Sequence, residues 1–169
     1  MSDVIKKRSG KVAFMLVDDK FCRMRGFTEM SKSKNPVEYS RQYVDEDSER
    51  TDVTSYAESI SFNLDYFEND TVHTKITEIF DNELVGDAAR VVIAVVDMEK
   101  VTDNSCVAIS RRYAVIPSSE GDSTEAYTYS GDFKASGEKS TITLTTTDDW
   151  QTATASDEAA AASVEDETY

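Results

Sequence analysis

Between Ser59 and Tyr66 the chain reads Ser-Ile-Ser-Phe-Asn-Leu-Asp-Tyr, a strict alternation of polar and apolar side chains. Successive side chains of an extended strand point to opposite faces. Ile60, Phe62, Leu64 and Tyr66 therefore share one face, and Ser59, Ser61, Asn63 and Asp65 the other. A helix would scatter these residues around its axis. The pattern predicts a strand over Ser55–Tyr66 that is buried on one face, with a polar, nearly uncharged second face.

The same test applied along the chain gives more strands and one helix. Lys11–Val17 alternates around Val12, Phe14 and Leu16, and Phe21–Phe27 follows as a second extended stretch, a hairpin across Asp18-Asp19. The run Val-Val-Ile-Ala-Val-Val inside Ala89–Asp97 is apolar on both parities, as expected of a strand covered on both faces. Ser105–Ile116, Glu125–Ala135 and Ser140–Thr146 read as further strands, separated by residues 117–123 and by Ser136-Gly137. Asp70 can cap a helix in which Val72, Ile76, Ile79, Phe80 and Leu84 keep helical spacing up to Gly86, predicting a helix over 70–85. These elements describe a mainly β chain, a β-sandwich or barrel-like fold with one flanking α-helix and a long inter-strand loop. Its 169 residues suffice for one domain with a real core. That domain is expected over 1–155, with 156–169 as an acidic C-terminal extension in which Ala159–Ala162 can be helical.

The long loop is the interruption. From Glu29 to Val53 the hydrophobic pattern gives way to Ser, Asn, Arg, Asp and Glu, and Pro36 cannot donate to a central ladder. Structureless loops beyond about 12–15 residues are uncommon in compact domains, and are functional or disordered when they occur. Tyr39, Tyr43 and Val44 lie among Glu38, Arg41, Asp45, Glu46, Asp47, Glu49 and Arg50. That mixture points to a segment over 30–53 that a partner surface orders. Disorder is the alternative.

Composition narrows the chemistry. A net charge of −15 opposes binding to nucleic acid phosphates. The charge is also polarised: Lys6, Lys7, Arg8, Lys11, Lys20, Arg23 and Arg25 crowd the first 28 residues, while nothing after Asp148 is Lys or Arg. Such polarity suits head-to-tail association. No apolar run approaches the ~20 residues of a membrane span, so no membrane insertion is expected, and the N-terminus turns charged before a signal-peptide core. Cys22 and Cys106 are isolated and read as ordinary strand residues. The single histidine, His73, has neither a second imidazole nor a nucleophile beside it. The acidic run Asp45-Glu46-Asp47 with Glu49 and Asp52 lacks the glycine and closing glutamate of an EF-hand. No glycine-rich phosphate loop or nucleophile elbow is present. The residues thus nominate no catalytic, cofactor or metal site, and the expected role is structural and non-enzymatic.

Several stretches carry a more specific likeness. They are Ser33-Lys34-Asn35-Pro36-Val37-Glu38-Tyr39, Arg41 through Val53, Ser59-Ile60-Ser61-Phe62, Val72-His73, and Asp81-Asn82-Glu83 with Gly86. Arg111 through Pro117, Tyr127 through Gly131 and Thr147 through Gln151 complete the set. In this order the chain resembles the tail tube (major tail) proteins of long-tailed, siphovirus-like bacteriophages, and only the acidic segment after Ala155 falls outside the likeness. The resemblance implies six-membered rings stacked into a hollow virion tube, made and assembled in the host cytoplasm. The tube would house a tape measure protein before ejection and then conduct duplex DNA without specific binding. Tail terminator and distal tail proteins would be the end partners. It further implies that Asn35, Pro36, Glu38, Tyr39, Arg41, Tyr43, Asp45, Glu46 and Arg50 make inter-ring or inter-subunit contacts, and that Ser59, Ser61, Asn63 and Asp65 face the lumen. Two other readings remain open: the tube of a contractile tail or secretion-like injection system, and a monomeric β-sandwich module whose loop grips a ligand.

Overall fold

The computed structural model describes residues 3–155. In chain order the strands are β1 (Lys11–Val17), β2 (Lys20–Arg23), β3 (Phe27–Ser33), β4 (Pro36–Arg41), β5 (Arg50–Tyr56) and β6 (Ser59–Asp65). The helix α1 (Thr71–Asp81) follows, then β7 (Arg90–Asp97), β8 (Ser105–Glu120), β9 (Thr128–Ala135), β10 (Ser140–Thr145) and β11 (Thr152–Ala155). The segment read as helical at Ala159–Ala162 and the acidic extension lie outside the described residues. Asp18 and Asp19 both take positive φ, 49° and 66°, the turn handedness that matches the twist of a two-residue hairpin. The second extended stretch breaks at Gly26, so Phe27 opens β3 rather than closing β2.

β8 organises the rest. Its first part, Ser105–Ser110, pairs with β10, and the ladder β8–β10–β11–β2–β1–β7 returns to β8, every pair antiparallel. This closes a small barrel. Beyond Tyr113 the same strand pairs with β9 and carries the sheet outward as β8–β9–β6–β3, open at its far end. β8 does not stop at Pro117, where the sequence suggested a turn. β7 ends opposite Ala114, so the missing Pro117 N–H is not needed on that side, and a register shift between Pro117 and Ser119 absorbs the irregularity. Opposite Pro117 lies Gly131, where a Cβ would meet the Ile116 carbonyl oxygen at 2.3 Å. Gly131→Ala is expected to cost about 1–3 kcal/mol by overpacking against backbone, seen as a lower denaturation midpoint with an unchanged slope.

Two cores use opposite faces of the same strands. Val12, Phe14, Phe21, Ala94, Val96, Ala108, Ile142, Leu144 and Trp150 fill the barrel. Ala13, Met15, Val91, Ile93, Ile60, Phe62, Leu64, Tyr113, Val115, Tyr129 and Phe133 pack under α1 through Val72, Ile76, Ile79 and Phe80. This explains the Val-Val-Ile-Ala-Val-Val run: β7 is buried on both faces. The Asp70 carboxylate accepts from the N–H groups of Val72 and His73, capping α1. The helix ends at Asp81, short of the expected 85. Glu83 takes the left-handed conformation (φ 49°), and the N–H groups of Glu83 and Leu84 return to the carbonyls of Phe80 and Ile79. That closure returns Leu84 to the core, which mimics continued helical spacing in the sequence.

Candidate assembly surfaces

Three features stand out of this frame: an arm, the buried ionic base that holds it, and a broad polar sheet face. The arm is the segment between β3 and β6. β4 and β5 pair with each other from Pro36↔Tyr56 to Arg41↔Arg50, with one bulge between Val37 and Glu38. The excursion is thus a hairpin ordered by its own ladder. Its strands escaped the alternation test because that test needs a core. Every β5 residue and all of β4 except Arg41 are exposed, so neither face is apolar. Pro36 is tolerated as the first residue of a strand in a two-stranded sheet.

Most of the charged residues expected to make contacts are already engaged within the arm. Arg41 pairs with Asp52 at 2.5 Å, donates to Tyr43 Oη at 3.0 Å, and stands 5.0 Å from the Tyr39 ring centre. Arg50 holds Glu46 through two bonds of 2.7 and 2.5 Å and lies 5.6 Å from the Tyr43 ring centre. Asn35 serves the hinge: its φ is 45°, its Nδ2 donates to Ala57 O and Ser59 Oγ, and its carbonyl accepts from Ala57 N. What the arm presents outward is Glu38, Asp45, the rings of Tyr39 and Tyr43, and the apolar side chains of Val37, Val44, Val53 and Tyr56. Val37, Val53 and Tyr56 were not singled out from sequence. No periodicity signals them, since Val37 lies opposite Ser55, Val53 opposite Glu38 and Tyr56 opposite Pro36.

The base centres on Glu58. Its side chain is fully buried, accepts from Arg111 and from Tyr113 Oη (3.2 Å), and pairs with Lys34 (3.3 Å) and Lys32 (3.4 Å). Burial alone would raise its pKa. Lys32, the Arg111 bond, Lys34 and Lys139 together outweigh burial and hold it down to about 2. Burial, together with the neighbouring Glu58 charge, pushes the Tyr113 phenol up. Sequence reading missed this site, although a cue exists: Glu58 has the parity of Ile60, Phe62 and Leu64, and an acid on an apolar face needs partners.

The polar face carries all four residues expected to line a lumen. Across the ladders Ser59, Ser61, Asn63 and Asp65 align with Ser33, Ser31 and Glu29 of β3, and with Lys134, Asp132, Ser130 and Thr128 of β9. Ala114 and Ile116 of β8 extend it beside Lys134 and Asp132. Ser61 Oγ donates to Asp132 Oδ1 at 3.0 Å. On β3, β6 and β9 Lys134 is the lone cation of this face, against Glu29, Asp65 and Asp132.

His73 is spent on structure. Its buried Nδ1 accepts from Phe67 N–H at 3.0 Å, so the neutral ring donates through Nε2 to Arg25 O at 2.5 Å. Gly26, at φ +74°, has room for no Cβ beside this ring and that of Phe67. Cys22 and Cys106 lie in β2 and β8 as free thiols. Among the described residues no cluster of His, Cys, Asp and Glu is arranged to hold a metal ion, and no helix is long and apolar enough to cross a membrane.

The chain superposes on a chain from the cryo-EM structure of the anti-feeding prophage (AFP) baseplate, 6-fold symmetrised. The TM-score is 0.52 and the identity 7%, over 84% of this chain and 97% of that one. The two chains share a fold. No protein-family model matches the sequence, and no curated protein matches it either.

Proposed function

We propose that this chain is the non-enzymatic tube subunit of a phage-like tail, forming six-membered rings that stack into a conduit for duplex DNA. The observation that carries the reading is the open sheet β8–β9–β6–β3. One face is packed under α1, the other is polar, and two of its edges are unpaired among the described residues: β3 beyond β6, and β8 beyond Ala114. Unpaired edges of this length invite a strand from another copy. Joining the β8 edge of one subunit to the β3 edge of the next makes a continuous barrel with the polar face inward.

The dimensions agree with that use. Six copies of four strands, at ~4.8 Å spacing and ~45° tilt, give a circumference of about 160 Å and a backbone diameter of about 50 Å, wide enough for duplex DNA and its water. A wall with few cations suits transit, because duplex DNA carries roughly one charge per 1.7 Å and would adhere to a basic surface. Ser59, Ser61, Asn63 and Asp65 belong to that wall in this reading. The arm, with Glu38, Tyr39, Tyr43 and Asp45 outward, reaches the neighbouring ring. A tape measure protein would fill the lumen before ejection, with terminator and distal tail proteins at the ends.

The likeness to a chain of the AFP baseplate favours a second reading on the same architecture, a tube or baseplate ring of a contractile or injection-type particle. Negative-stain electron microscopy of concentrated protein tests both. Rings or tubes with six-fold end views are the expected result, and a monomer at every concentration overturns the assembly reading in favour of a binding module. Co-expression with a sheath protein then separates the readings: only a contractile tube takes on a sheath.

A further inference from the structure

Where β1 begins, the barrel bears a groove of about 450 Å³, with Arg8, Lys11 and Arg23 around an apolar floor of Met24, Phe27 and Met30. No acidic side chain lines it. Arg8 gives its guanidinium to the carbonyl oxygens of Lys11 (2.9 Å) and Met30 (3.4 Å). None of the three cations is in an ion pair among the described residues. In a chain of net charge −15, three unneutralised cations converging on one apolar cleft suit an acidic segment with some apolar side chains.

The chain itself contains such a segment. Residues 156–169 hold Asp157, Glu158, Glu165, Asp166 and Glu167 with no Lys or Arg, interleaved with alanines, Val164 and Tyr169. The register shows where they depart. Ala153 lies opposite Phe21, and Phe21 opposite Leu16, so β11 leads out past the Asp18-Asp19 turn. Val12 and Lys11 lie at the other end of β1, about 17 and 20 Å from Val17 at ~3.3 Å per residue, and Arg23, opposite Phe14, lies about halfway between. The described chain therefore ends, at Ala155, by the Asp18-Asp19 turn, while the groove opens towards the start of β1. Its own groove would require the segment 156–169 to double back along the barrel wall, whereas a copy stacked end to end offers the groove directly. Ser31–Ser33 do not line the groove, so that part of the β3 edge stays clear.

We propose that the groove binds residues 156–169 of a second copy, a head-to-tail latch between stacked subunits. It rests on the assembly reading only in requiring that copies meet end to end. A fluorescein-labelled peptide of residues 156–169 is titrated into the full chain and followed by anisotropy. Saturable binding is expected, weakened at least ten-fold by Lys11→Glu with Arg23→Glu and several-fold between 50 and 500 mM salt. Equal binding to the native and charge-reversed chains overturns the proposal, provided circular dichroism shows both folded. Lys11→Glu alone, on an exposed side chain, serves if the double variant fails to fold.

A photo-crosslinking residue at Val164, in a mixture of ¹⁴N- and ¹⁵N-labelled full chains, identifies the source. Mixed-isotope crosslinks to the Arg8–Met30 region support the latch, whereas crosslinks confined to one copy, or mapping elsewhere, overturn it. Tubes that form on the same grids without groove crosslinks would remove the latch and leave the assembly reading standing. Peptide binding by a chain that never forms rings would do the reverse.

Discussion

On the tube reading, a chain lacking residues 38–50 is expected to fold and to remain monomeric at concentrations where the intact chain assembles. The deletion is structurally mild. Val37 and Ser55 face each other across the ladder, so residues 51–54 remain as a short hairpin loop, and the Asn35–Ala57 hinge is untouched. Neither core contains any of the removed residues. The melting temperature should therefore move by only a few degrees, while sedimentation velocity shows a single slow species. Normal tubes from the deleted chain would remove the arm from the assembly mechanism.

The size of that effect follows from what the arm leaves unpaired. Its ion pairs, Arg41–Asp52 and Arg50–Glu46, are made within the arm and are partly exposed. In exposed pairs of this kind side-chain entropy and salt screening offset most of the attraction, so they shape the arm without driving association. On the tube reading the drive has to come from burying exposed apolar side chains. Of these the deletion removes Tyr39, Tyr43 and Val44 and takes Val53 off its ladder partner Glu38, leaving Val37 and Tyr56 at the hinge. A two-stranded hairpin without a core is marginal in water, so the surface that covers these side chains also fixes the arm.

How much of this was legible in the sequence depends on whether an element has a core to report. β7 carries its burial in its spacing, as does the Ile60–Leu64 alternation, although the strand read over Ser55–Tyr66 begins at Ser59 because Ser55 and Tyr56 belong to β5. β1 is buried on both faces rather than around Val12, Phe14 and Leu16 alone. Ser59, Ser61, Asn63 and Asp65 could be placed on one face because Ile60, Phe62 and Leu64 define the other. β4 and β5 touch no core, so composition described them as a loop while backbone pairing made them strands. Helix α1 looked longer than it is because Leu84 returns to the core after the chain has already left the helix. The run of β8 through Pro117 was hidden for a topological reason. A proline argues against a central strand, and β8 becomes an edge only where β7 ends, which no local window reveals.

Glu58 was the least legible residue, and its replacement carries the second large expected effect. Glu58→Gln keeps the shape and an acceptor for Tyr113, but removes the charge that balances Arg111, Lys32 and Lys34. Lys34 is half exposed and can swing into water, while Arg111 is mostly buried and cannot. The cost is expected at about 3 kcal/mol, the lower end for stranding a buried partner, and the loosened arm base should also raise the concentration needed for assembly.

The pH dependence gives an independent check. Glu58 titrates near 2 in the folded chain against an ordinary value of 4.5. A carboxylate depressed on folding contributes stability that is complete above about pH 4.5 and is lost as pH falls towards 2, about 3 kcal/mol in all. Other carboxylates titrate in both proteins and cancel in the difference. The stability gap between the native chain and Glu58→Gln, measured by urea unfolding, should therefore be constant from pH 7 to 5 and close as the pH approaches 2. A gap independent of pH would mean that the glutamine disturbs packing rather than charge. Replacing Glu58 and Arg111 together with methionine should recover much of the loss, because it leaves no buried charge alone and frees Lys32 and Lys34 to turn towards solvent. Recovery of stability without recovery of tubes would show that the ionic base sets the direction of the arm as well as holding the fold.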